Sequence, residues 1–76
     1  MEKLDLHSIS HMDARNETIR FIEANWKSGG SELEIITGYS LPMQKIVIKV
    51  LDEYELEWQI GDYLAVNKGF IRVTLP

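Results

Sequence analysis

Near the start of the chain, Leu4-Asp5-Leu6-His7 sets a carboxylate two positions from an imidazole. On a strand, such residues share a side, about 6.6 Å apart by twice the strand rise. An imidazole with an unperturbed pKa near ~6.5 can take or give a proton at neutral pH. A neighbouring carboxylate could orient it, or could hold a divalent ion. A second stretch, Glu32-Leu-Glu-Ile-Ile-Thr-Gly-Tyr-Ser-Leu-Pro42, reads as strand, tight turn and helix. Ile35 and Ile36 are stiff at χ1 and suit a strand. Gly38 breaks the strand, Ser40 can cap a helix, and Pro42 is tolerated in its first turn. Ligands gather at such junctions in α/β proteins, because the turn presents N–H groups at the positive end of a helix. An acid, an imidazole and a phosphate-seating turn would together suffice to cut a phosphodiester. A plainer reading fits the same residues: His7 exposed at a strand end, Asp5 solvated, and Gly38 only letting the chain turn.

Which elements would bring these residues together follows from periodicity. Lys3–His7 alternates, with Leu4 and Leu6 on one side and Asp5 and His7 on the other. Ser10 followed by Asp13 is a variant of the capping box that opens a helix over about 11–27. Its apolar arc holds Ala14, Thr18, Ile19, Phe21, Ile22 and Trp26. Ser28-Gly29-Gly30-Ser31 stops it. A strand over 33–37 leads through the glycine turn to a helix over 41–54, striped by Met43, Ile46, Val47, Val50, Leu51 and Tyr54 opposite Lys45, Lys49 and Asp52. Residues 55–60 alternate again, and 70–75 form the last strand. The order β-α-β-α-β-β predicts an α/β (α+β) two-layer sandwich, a four-stranded mixed sheet with both helices on one face. The open face is expected to carry Asp5, His7, Glu34, Ile36, Glu57, Gln59, Phe70, Arg72 and Thr74. Mostly polar and acidic, it is a poor platform for phosphates, so nucleic acid is expected at the strand ends.

Seventy-six residues make one domain of marginal stability. At 45% hydrophobic and 26% charged residues the chain is an ordinary globular sequence. It has no cysteine, which removes disulfides, thiolate nucleophiles and zinc–cysteine sites. No apolar run approaches the ~18 residues of a membrane span, and the first residues lack the form of a signal peptide. A cytoplasmic place, in a cell or in a virus's host, is the expectation. The net charge of −4 argues against strong non-specific binding to DNA or RNA.

Taken together, Leu4-Asp5-Leu6-His7, the capped helix, a strand ending in Thr37-Gly38, the second helix and two closing strands resemble the small MutS-related (Smr) domain family, over about Leu4 to Leu75. That family has a leucine-aspartate-leucine-histidine motif and, after its second strand, a histidine- or threonine-glycine-x-glycine turn. The resemblance implies an open sandwich like the C-terminal domain of bacterial translation initiation factor three. It also implies DNA or RNA binding, with nicking endonuclease activity in several members. On it, Asp5 and His7 carry over as the first motif, and Thr37 and Gly38 as half of the second. The chain departs from the pattern at Ser8, where a glycine is usual. Tyr39 stands where lysine or arginine is frequent, and Ser40 replaces the second glycine. The glycine-rich loop before the last strand is reduced to Asn67-Lys68-Gly69. Tyr39 could stack on an unpaired base, as aromatic platforms do, or could be a packing residue.

Three readings follow. In the first, the chain is a small phosphodiesterase with Asp5 and His7 in the chemistry. Thr37, Gly38, Tyr39, Ser40 and Lys68 then hold nucleic acid, and a divalent metal remains an open cofactor. In the second it is a binding module that has lost catalysis and binds nucleic acid weakly. In the third it binds a basic protein partner through the acidic sheet face. A monomer is expected in each.

Overall fold

A computed structural model describes residues 2–26, 32–61 and 69–76. Four strands and two helices follow in the order β1 (Glu2–Asp5), α1 (His11–Asn25), β2 (Glu32–Ile36), α2 (Leu41–Glu53), β3 (Glu57–Ile60) and β4 (Phe70–Thr74). The sheet order is β1-β2-β4-β3, with β1 parallel to β2 and β4 antiparallel to both its neighbours. The expected four-stranded mixed sheet and helix pair are what the chain forms.

Both helices start as their sequences dictate. The Ser10 hydroxyl accepts from the Asp13 amide and the Ser40 hydroxyl from the Met43 amide, so each cap satisfies an orphan donor of a first turn. The sheet's inner face meets the helices. The row Leu4, Ile35, Ile71, Ile60 runs straight across four strands. Below it lie Ala14 and Ile22 of α1 and Met43, Val47, Val50 and Leu51 of α2, all buried. Thr18 is buried among them, and its hydroxyl donates to the Ala14 carbonyl one turn back at 2.7 Å.

Some expected boundaries move, each for a local reason. β1 ends at Asp5, not at His7, which lies in a turn closed by the Ile9 amide on the Leu6 carbonyl at 3.0 Å. α1 ends at Asn25 with Trp26 as its cap, and Trp26 stays 40% exposed, leaning on Tyr54 at 5.9 Å between ring centroids. Lys27 lies outside the described residues. The third strand begins at Glu57 because Glu55 takes a left-handed φ of 57°. The Glu55 amide donates to Asp52 and the Leu56 amide to Leu51, the paired bonds of a Schellman end. Leu56 and Leu51, both buried, supply its apolar contact. A helix stop without glycine leaves no composition signal, so the alternation of 55–60 reads as strand throughout.

The open face also differs from expectation. The register places Lys3 there, in the row Lys3, Glu34, Arg72, Gln59. Glu34 is shared by Lys3 at 3.7 Å and Arg72 at 3.9 Å, so the middle of this face is paired rather than acidic. Phe70 faces the same way yet is buried, with the Arg72 guanidinium 5.8 Å from its ring centroid.

Candidate functional site

β1 and β2 point the same way, and their pairing carries on past β1 through the Leu6 amide on the Ile36 carbonyl at 2.8 Å. That bond sets the turn after β1 beside the turn after β2. A Cβ built on Gly38 would lie 3.9 Å from the Cβ of His7. The two motifs, thirty-odd residues apart in sequence, are neighbours here.

His7 is exposed, and its ring is held. One oxygen of Asp5, Oδ1, accepts from the His7 backbone amide at 3.0 Å and pairs with the ring Nδ1 at 2.5 Å. The first of these is the Asx turn that aspartate favours on leaving a strand. The second follows because the turn brings the ring back over the carboxylate. The ring hydrogen bond first, and the amide bond after it, hold the Asp5 carboxyl below its ordinary value of 3.8. Asp5 is therefore an anion at neutral pH and accepts from Nδ1–H. The tautomer assigned by this acceptor leaves Nε2 as the ring nitrogen not engaged by Asp5. Asp5 thus orients an exposed imidazole.

The turn after β2 is built differently from expectation. The Thr37 and Gly38 amides both donate to the Gly69 carbonyl, at 3.0 and 2.9 Å. Thr37 is buried, and its hydroxyl faces the carbonyls of Gly38 at 2.9 Å and Gly69 at 3.4 Å. So Thr37 and Gly38 do not offer their N–H groups to a phosphate; they fasten the turn to the start of β4. The amides of Tyr39, Ser40 and Leu41, at the positive end of α2, have no hydrogen-bond partner among the described residues. They lie one step further along the chain than the expected pair, Thr37 and Gly38. Tyr39 is 74% exposed, which settles it as a surface ring rather than a packing residue. Ser40 is occupied as the cap of α2. Lys68 lies outside the described residues. Sequence reading missed Gln44, buried on α2, whose amide nitrogen approaches the Gly38 carbonyl at 3.5 Å and braces the turn. A glutamine beside Met43 and Val47 in an apolar stripe was the available signal.

Gly38 has φ of +66°, a conformation that L side chains avoid. Space is not the obstacle to a side chain, since 3.9 Å is an ordinary contact. The backbone alone makes Gly38→Ala cost about 1–2 kcal/mol, an expected fall of roughly 4–16 °C in melting temperature for a domain of this size. An alanine variant melting with the wild type would show that the positive φ is not required.

As for metals, the described residues hold no group of three or more histidine, aspartate or glutamate side chains able to grip an ion. A divalent ion at Asp5 and His7 would draw most of its ligands from phosphate and water, as magnesium commonly does. No described helix is long and apolar enough to cross a membrane.

No solved structure matches the chain. A family model does: the Smr domain, over residues 4–73. That span runs from the leucine before Asp5 to the last residue but one of β4, and so includes both turns and every element between them. The match agrees with the motif residues the fold brings together, and this chain belongs to the Smr domain family, whose members are nucleic-acid-binding or endonuclease-related domains in general.

Proposed function

We propose that the domain binds DNA or RNA at the ends of β1 and β2 and cuts a phosphodiester bond there. One observation carries this reading: an exposed histidine whose Nδ1 is anchored by an ionised aspartate, set against the Gly38 turn. In this reading Nε2 of His7 takes a proton from the attacking oxygen nucleophile, or gives one to the leaving oxygen. The amides at the start of α2 stabilise the phosphate charge, and the Tyr39 ring receives an unpaired base. The exposed ring and the lack of a basic residue in the turn favour single-stranded or locally unpaired substrates.

Tyr39→Ala is expected to weaken binding of short single strands by roughly 5- to 150-fold, the ~1–3 kcal/mol of one base–aromatic stack. Tyr39→Phe should bind as the wild type does. An NMR titration with short RNA and DNA, with and without magnesium, checks the reading directly, with amide shifts expected at His7, Gly38 and Tyr39. Silence at those amides would overturn it.

The second reading, docking of a basic protein on the sheet, draws on Glu32 and Glu57. They flank Thr74 at the end of the open face away from His7, beside a concavity of about 320 Å³. It gains if nucleic acid leaves the Gly38 region unmoved.

A further inference from the structure

Three polar side chains are buried among the described residues: Thr18, Thr37 and Gln44. Thr18 gives its hydroxyl to a carbonyl of its own helix, as threonine commonly does. The other two converge on a single atom outside any helix or strand, the Gly38 carbonyl oxygen. The Thr37 hydroxyl lies 2.9 Å from it and the Gln44 amide nitrogen 3.5 Å. A threonine hydroxyl has one proton to donate. The Gly69 carbonyl, 3.4 Å from that hydroxyl, already accepts from the Thr37 and Gly38 amides, so the proton belongs on Gly38. Gln44 reaches the same oxygen from the buried side of α2, in the stripe of Met43 and Val47. An amide buried there is costly unless it meets a partner, and the Gly38 carbonyl is one.

What the two donors fix is the direction of a peptide plane. No peptide bond among the described residues is cis, so each N–H points opposite to the C=O of its own peptide. The Gly38 carbonyl is held toward two buried side chains, so the Tyr39 N–H points the other way, out of the turn. The amides before it, of Thr37 and Gly38, are tied to Gly69. Tyr39 thus bears the first amide of the turn without a partner among the described residues. His7 stands against the same turn, its Cβ 3.9 Å from one built on Gly38.

We propose that Thr37 and Gln44 are positioning residues of the nucleic-acid site: they hold the Gly38–Tyr39 peptide so that the Tyr39 N–H donates to the phosphate on which His7 acts. The same peptide turned over would set a carbonyl oxygen, which repels phosphate, where that donor stands. The inference rests on the nucleic-acid reading above and adds two buried groups that act on the substrate only through the backbone.

Fluorescence anisotropy of a labelled oligouridine and a labelled oligothymidine tests it, with the Tyr39 amide followed by NMR in the same titrations. Thr37→Val keeps the shape and removes the hydroxyl. Thr37→Ser keeps the hydroxyl and removes the methyl. Gln44→Met keeps the length and removes the amide. Circular dichroism establishes that each variant is folded. Thr37→Val/Gln44→Met is expected to lose roughly 10- to 150-fold in affinity, what one hydrogen bond to a charged group contributes. Its Tyr39 amide should no longer shift as the strand is added, and Thr37→Ser should bind as the wild type does. A packing role for Thr37 predicts the reverse order, with Thr37→Val near wild type and Thr37→Ser impaired, and would overturn the inference. Weaker binding in the double variant with the Tyr39 shift intact would make the loss a general effect on the fold and overturn it as well. Should the double variant fail to fold, the single variants decide: Thr37→Val weaker than Thr37→Ser supports the inference, and equal affinities overturn it. Wild-type affinity in the folded double variant would overturn the positioning role and leave the nucleic-acid reading standing. No binding of either strand by wild type would overturn both.

Discussion

His7→Ala is expected to reduce cleavage of RNA or branched DNA by about 10²- to 10⁴-fold, the range a positioned proton-transfer group contributes. Binding and folding should be nearly unchanged. The ring is exposed and, among the described residues, its side-chain partner is the exposed Asp5, so its removal strands no buried group among them. Asp5→Asn makes the sharper companion. An amide at that position can still accept from the His7 amide, but it removes the negative charge that orders the ring and favours Nδ1–H. Cleavage should fall while binding of the intact strand is retained or improves. A cleavage rate in His7→Ala equal to wild type, with magnesium or manganese present, would remove His7 from the chemistry. Equal losses of binding and cleavage would make it a binding group instead.

Ile35→Ala is expected to cost about 2–5 kcal/mol. Ile35 is fully buried on the central strand β2, between Leu4 of β1 and Ile71 of β4. It faces the α1–α2 layer, so no neighbour is free to collapse into the space. A domain of 76 residues is stable by roughly 4–11 kcal/mol, and this change takes a large share of that. The melting temperature should drop by roughly 10 °C or more, or the domain should fail to fold at 37 °C. Met12→Ala, at an exposed apolar residue, should stay within about 0.5 kcal/mol. Equal costs in the two variants, read by chemical denaturation, would mean that the sheet–helix interface is not where the stability lies.

Both predictions depend on features that differ in how visible they are along the chain. The helix starts were legible because Ser10 and Ser40 act on residues three positions away. The inner rows of the sheet were legible because alternation is a property of each strand alone. The side-by-side placement of the Asp5–His7 and Gly38 turns followed from the crossover rule for parallel strands. Glu55 was not legible, because its left-handed φ is imposed by the helix end and advertised by no glycine.

The sequence by itself determined the element order, the two caps, the residues that line the inner face and the pair of motifs that meet. The first three are set by contacts within a few residues or by a repeating period, and the last by the crossover rule for parallel strands. Only the tertiary structure decided what the turn amides do, because their partner, the Gly69 carbonyl, stands 32 positions beyond Thr37 and arrives through the antiparallel register of β2 with β4. It likewise decided that Glu34 joins Lys3 to Arg72 and that Arg15 spends its charge on Glu53, 38 residues away. Pairings at such separations are chosen by which backbone groups and charges the folded sheet and helices bring within a few ångströms, and no local pattern encodes them.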